Sequence, residues 1–135
     1  MGTIQLALIA ALAIWPFSSG KTFHMRADSS VPAASGTVHA QADKDNGNTK
    51  LDIKVQNLAQ PSNLNPPANT YVVWVRPNDG EAVREGAIGL NGDLNGEMHA
   101  TTVLKDFEVF ITPEESKTVT TPSSRELLRA RVSMD

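Results

Sequence analysis

The chain has 135 residues, with 12 Lys and Arg against 15 Asp and Glu, a net charge of −3 and no cysteine. This mild acidity argues against nucleic acid, whose binding needs a basic face to displace phosphate counterions, and against electrostatic attachment to anionic lipid. The missing thiol excludes disulfides, cysteine nucleophiles, cysteine-type zinc sites and acylation of an N-terminal cysteine, so burial of apolar side chains must hold the fold.

The first 20 residues carry no Asp, Glu, Lys or Arg, and from Ile4 to Phe17 they are almost wholly apolar. A helix of about 14 residues spans only ~21 Å, short of the ~30 Å hydrocarbon layer. Pro16 ends the run, and Ser18, Ser19 and Gly20 supply the small residues that a signal peptidase requires. The expected organisation is a signal peptide over 1–20, cleaved after Gly20, and one domain over 21–135. The lack of positive charge before Lys21 is atypical of a signal, and a retained anchor or a buried N-terminal helix is the alternative.

Beyond Lys21 the dominant pattern is period-two alternation in short runs separated by turn residues, which marks half-buried strands. Residues 22–26 read as a weak first strand. Residues 36–42 follow, with Val38, Ala40 and Ala42 on one face and Thr37, His39 and Gln41 on the other. Asp43, Lys44, Asp45, Asn46, Gly47 and Asn48 form a hairpin connection, because Asn-Gly readily supplies positive φ. The clearest strand is 49–56, where Leu51, Ile53 and Val55 alternate with Lys50, Asp52, Lys54 and Gln56. Burying those three side chains is worth ~1.5–3 kcal/mol each before chain entropy is charged.

Residues 57–69 make a long connection containing Pro61, Pro66 and Pro67, which cannot donate to a ladder. A connection of this length is either functional or a crossover between sheets, and the crossover is the expectation. Residues 70–76 are nearly continuous in apolar, β-prone side chains (Tyr71, Val72, Val73, Trp74, Val75), as in a strand covered on both faces. A turn over 77–80 leads to a strand over 81–90, in which Gly86 and Gly89 hint at a bulge. After a turn cluster over 91–96, strands are expected over 97–103 and 106–112, with Phe107, Val109 and Ile111 sharing a face. A polar loop over 113–124 leads to 125–132, taken as a strand, although Ser124 would also cap a short helix there. The expected fold is an all-β, single antiparallel β-sandwich of seven or eight strands.

The second half resembles the C-terminal, extracytoplasmic domain of the anti-sigma-K factor family. The resemblance lies in Tyr71-Val72-Val73-Trp74, the Gly86-Ala87 step and Phe107-Glu108-Val109-Phe110-Ile111-Thr112-Pro113. It continues through Ser116 and Thr121-Pro122-Ser123 to Leu127-Leu128, covering roughly residues 70–132. It implies a β-sandwich outside the cytoplasm. Family members carry a cytoplasmic sigma-binding region and a spanning helix ahead of this domain. Here the residues before Tyr71 read as a signal-like stretch and further strands, so a standalone domain is expected and the regulatory role is not implied.

Four groups of residues invite a chemical reading. The acidic turn from Asp43 to Asn48 has oxygens at alternating positions, but Gly47 sits at the fifth place and no Glu stands at the twelfth, so a plain hairpin is expected rather than a calcium loop. His39 and His99, joined by Glu97, would suit zinc if their strands were adjacent; scattered surface histidines, His24 among them, are the expectation. Tyr71, Trp74, Phe107 and Phe110 would form an aromatic platform if one face were open, and core positions on both faces are expected instead. No Gly-x-Ser-x-Gly elbow, His-Glu-x-x-His motif or phosphate loop is present. The expected function is therefore non-catalytic, with no catalytic residue, cofactor or metal. It is an exported binding module, periplasmic or secreted, that engages a protein partner through a sheet edge or the connection over 57–69, or else a structural subunit that associates with itself. No nucleic acid is expected, and no membrane contact beyond the signal segment.

Overall fold

The computed structural model describes residues 20–134, so the apolar stretch from Ile4 to Phe17 and the peptidase residues Ser18 and Ser19 lie outside the described residues. Among the described residues nine strands form, in chain order: β1 (Lys21–His24), β2 (Arg26–Ala27), β3 (Ser35–Ala42), β4 (Thr49–Gln56), β5 (Thr70–Pro77), β6 (Val83–Ile88), β7 (Gly96–Thr102), β8 (Asp106–Glu114) and β9 (Leu128–Ser133). They build a four-stranded sheet ordered β1-β3-β4-β7 and a five-stranded sheet ordered β2-β9-β8-β5-β6, antiparallel throughout. The architecture is the expected β-sandwich.

The core is the meeting of the two inner faces. Val38, Ala40, Leu51, Ile53 and Val55 come from the four-stranded sheet, and Tyr71, Val73, Val75, Phe107, Val109, Ile111, Leu128, Ala130 and Val132 from the other. Alternation explains each of these positions. It also leaves β4 with one dry face and one wet face, because its polar residues point to solvent. Ala42, expected with Val38 and Ala40, lies at the exposed end of β3.

β5 differs because it is covered twice. Tyr71, Val73 and Val75 enter the main core, while Val72 and Trp74 join Phe110 in a second apolar cluster on the outer face, closed by Ala82 and Val119. The second cluster accounts for the unbroken apolar run.

Several boundaries depart from the sequence reading. The single weak strand over 22–26 is two strands in two different sheets, which raises the count from the expected seven or eight to nine. The break is at Met25, whose N–H donates to Gly36 O at 2.8 Å and whose side chain is buried. Gly36 packs closely on this side chain: a Cβ there would lie 2.8 Å from Met25 Sδ and 3.1 Å from Lys54 O, so a larger residue would require the methionine to shift. β6 is shorter than the expected 81–90. Its pairing with β5 slips between Val73 and Trp74, which leaves Glu85 unmatched and Gly86 at φ +152°. β8 continues to Glu114 rather than ending at Thr112, and the segment after Leu127 is strand rather than helix.

The connection over 57–69 is a crossover, since β4 and β5 belong to different sheets. Leu58, fully buried, pins its start to the core, and a single turn of 3-10 helix occupies Pro61–Asn63.

Candidate binding cleft

Three connections leave the same end of the sandwich: residues 28–34 between β2 and β3, 57–69 between β4 and β5, and 115–127 between β8 and β9. They wall a cleft of about 1070 Å³. That volume is at the upper end of the range for small-ligand sites. Val31, Ala34, Leu64 and Leu127 supply its apolar lining, Pro66 and Pro67 stand exposed on one wall, and Ser30, Asn57, Asn63, Ser123 and Arg125 place polar groups around it.

Each wall is tied down. In the first, Asp28 accepts the N–H of Ser30 at 3.1 Å as well as its hydroxyl, and Arg125 approaches the same carboxylate at 3.5 Å. The Ser30 hydroxyl, then its N–H and the Arg125 charge, hold the Asp28 carboxyl below the ordinary range. The second wall is bound within itself, with Asn63 N–H on Gln60 O at 2.9 Å and Ala68 N–H on Pro61 O at 2.9 Å. It is bound to the third by Asn69, whose N–H donates to Glu114 O and whose side-chain amide donates to Glu115 O, both at 3.0 Å.

The phenol of Tyr71 anchors the second wall from below by donating to Ala59 O at 2.5 Å. Burial pushes this phenol up to about 12 from 10.0. The unfolded chain therefore releases the proton first, so this group's contribution to stability is constant below pH 10 and falls by about 1.4 kcal/mol per pH unit above it, until the folded state also ionises. Tyr71→Phe is expected to remove that alkaline slope, at a cost of about 1 kcal/mol at neutral pH. Urea midpoints of both proteins from pH 8 upward test this, and parallel curves would refute it.

At the head of the third wall is a polar network that alternation alone did not reveal. Trp74 Nε1–H donates to Thr112 Oγ1 at 2.8 Å, and the Thr112 hydroxyl donates to Glu114 Oε2 at 2.6 Å. Ser123 N–H reaches the same carboxylate oxygen at 3.0 Å, and its hydroxyl donates to Oε1. Glu114 is only 1 % exposed, and its convergent donors suit a group that only accepts. The available signal was positional: Glu108, Phe110, Thr112 and Glu114 continue one outer row of β8 past the proline where the strand was expected to stop. Beside this row, Arg76 on β5 bonds Glu108 and Glu126 and lies 4.3 Å over the Phe110 ring.

The acidic hairpin and the histidines singled out in the sequence lie apart from the cleft. The turn from Asp43 to Asn48 bends its oxygens onto its own backbone, with Asp45 N–H on Asp43 Oδ1 at 3.0 Å and Asn48 N–H on Asn46 Oδ1 at 2.9 Å. His39 and His99 are not on adjacent strands. The outer row runs Thr22, His39, Asp52, His99, so β4 separates the imidazoles by two strand spacings, or about 10 Å. His39 meets Thr22 Oγ1 at 2.9 Å, and His99 sits between Asp52 and, at 3.7 Å, Glu97. Among the described residues no group of three or more His, Asp or Glu is placed to hold a metal ion. All four aromatics of the supposed platform are buried, Tyr71 and Phe107 in the main core and Trp74 and Phe110 in the outer cluster. No family model matches this chain, and no curated protein matches it.

Proposed function

We propose that the chain is an exported, non-catalytic binding module of the cell envelope or extracellular space, which receives a protein partner in the cleft at its loop end. The observation that carries this reading is the convergence of three mutually tied connections on one apolar-lined recess, with Pro66 and Pro67 exposed at its rim. Proline restricts the backbone before contact, so such a wall loses little freedom on binding. Export rests on the apolar stretch from Ile4 to Phe17 followed by Ser18, Ser19 and Gly20, and a place outside the cytoplasm agrees with the resemblance noted over residues 70–132.

A photo-crosslinking side chain at Ala33 or Pro67, both exposed cleft residues, tests the reading when the tagged full chain is recovered from its native cells. The same group at Asp45, in the hairpin at the opposite end, is the control. One dominant envelope protein captured from the cleft positions and not from Asp45 is the expected result. Equal capture from all three positions, or capture of the chain's own copies only, would overturn it. Pro67→Ala and Ala33→Arg are expected to move Tm by no more than about 3 °C, as exposed substitutions do, while lowering recovery of that protein several-fold.

A further inference from the structure

Among the described residues, the switch of the first strand between sheets leaves part of β9 without a neighbour. β2 pairs with only two residues of β9, Arg26 with Arg129 and Ala27 with Leu128. One residue earlier the chain leaves for the four-stranded sheet, where β1 pairs with β3. Among the described residues, no strand pairs with β9 beyond Arg129 on that side.

Alternation of the ladder identifies the backbone groups left open. In an antiparallel strand, successive residues direct their N–H and C=O to opposite neighbours. Met134 N–H donates to Lys105 O at 2.9 Å, toward β8, so Val132 and Ala130 also face β8. Asp28 N–H donates to Leu127 O at 2.8 Å from the other side, in phase with Arg129, Arg131 and Ser133. The N–H and C=O of Arg131 and Ser133 therefore point past the end of β2, a template for one more strand.

The side chains along this edge select what is added. Ala130 and Val132 point into the core, while Arg129 and Arg131 are exposed on the outer face, with Arg26 directly across from Arg129. Arg129 meets Glu126 only at 3.8 Å, Arg131 meets Asp106 at 2.9 Å and also Asn78, and Arg26 has no side-chain partner among the described residues. Two arginines facing each other across a ladder repel, and an acidic side chain between them relieves that repulsion. The same rule disfavours a second copy of this chain: two β9 edges joined antiparallel about Arg131 would set arginine against arginine.

We infer that the open edge of β9, at Arg131 and Ser133, takes an extended acidic segment of a partner protein, which continues the line of β2 and sets carboxylates beside Arg26, Arg129 and Arg131. This surface is separate from the cleft and does not depend on it. The other edge of the five-stranded sheet is less suited, because β6 carries the slip opposite Val73 and Trp74 together with Glu85, whose carboxyl burial pushes upward.

The test is amide exchange by NMR on the 15N-labelled full chain, with a synthetic peptide of alternating threonine and glutamate and its lysine-for-glutamate counterpart as probes. With acidic peptide at about ten times its Kd, the Arg131 and Ser133 amides are expected to exchange about tenfold more slowly, while the lysine peptide changes nothing. Arg131→Glu is expected to reverse the preference between the two peptides. Arg131→Pro, which deletes an N–H that β8 does not use, is expected to abolish the protection. Four results would overturn the inference: no protection at these two amides, protection confined to β1 or the cleft, equal protection by both peptides, or protection that grows with protein concentration alone. Amides already protected before peptide is added would mean that the chain's own leading segment fills the edge, which overturns it as well.

Discussion

Trp74→Ala is expected to lower stability by about 4 kcal/mol, within the range for deleting a large buried aromatic. The indole is fully buried, yet it is not part of the main core. It lies on the outer face of β5, stacked on Phe110 with ring centroids 6.4 Å apart and planes inclined by 16°. Val119 closes over it from the connection after β8, whose position is also held by Arg84 Nη1 donating to Val119 O at 2.6 Å. Truncation would remove the floor on which that connection rests and the N–H that Thr112 Oγ1 accepts. Urea unfolding followed by circular dichroism measures the loss, with the midpoint falling and the slope unchanged if the folded state stays compact. A loss under about 1 kcal/mol would mean that the outer cluster is not packed as described.

Glu114→Ala is expected to cost about 3 kcal/mol, because three donors lose one buried acceptor at once. The Thr112 hydroxyl, the Ser123 N–H and the Ser123 hydroxyl all converge on its carboxylate. Glu114→Gln should recover only part of this, since its amide NH₂ would confront groups that themselves donate. Thr112→Val combined with Glu114→Ala should cost less than the two separate losses added, because the residues belong to one chain of hydrogen bonds. Strict additivity in that cycle, read by thermal or urea unfolding, would show that the network does not act as a unit.

Both predictions concern what the sequence reading only half disclosed. Leu51, Ile53 and Val55 were legible because alternation is a property of a single strand and needs no knowledge of its neighbours. The unbroken run from Tyr71 to Val75 showed that both faces of β5 are covered, but not by what. The cover comes from two polar-looking connections that contribute one apolar residue each, Ala82 and Val119, and a single residue has no period to detect. The crossing at Met25 was hidden for a related reason. Its contacts are with Gly36, which stands eleven places later in the chain and meets Met25 only after folding. His39 and His99 were correctly placed on a solvent face, but which strand lies between them is a matter of sheet order, which local pattern does not encode. The connection that became one wall of the cleft was visible in its prolines. Its partners at 28–34 and 115–127 became visible only once the strand order had brought three chain-distant loops to one end.

The outer covering of β5 and β8 gives the two sheets different freedom to change over evolutionary time. Lys50, Asp52, Lys54 and Gln56 on β4 face water, so most polar replacements there leave packing untouched. On β5, from Tyr71 to Val75, both faces are buried and no position is spare. Homologues should therefore diverge quickly along the solvent face of the four-stranded sheet and slowly through the middle of the other. The segment from Tyr71 to Val75, rather than the rim of the cleft, is then the stretch by which distant relatives would be recognised.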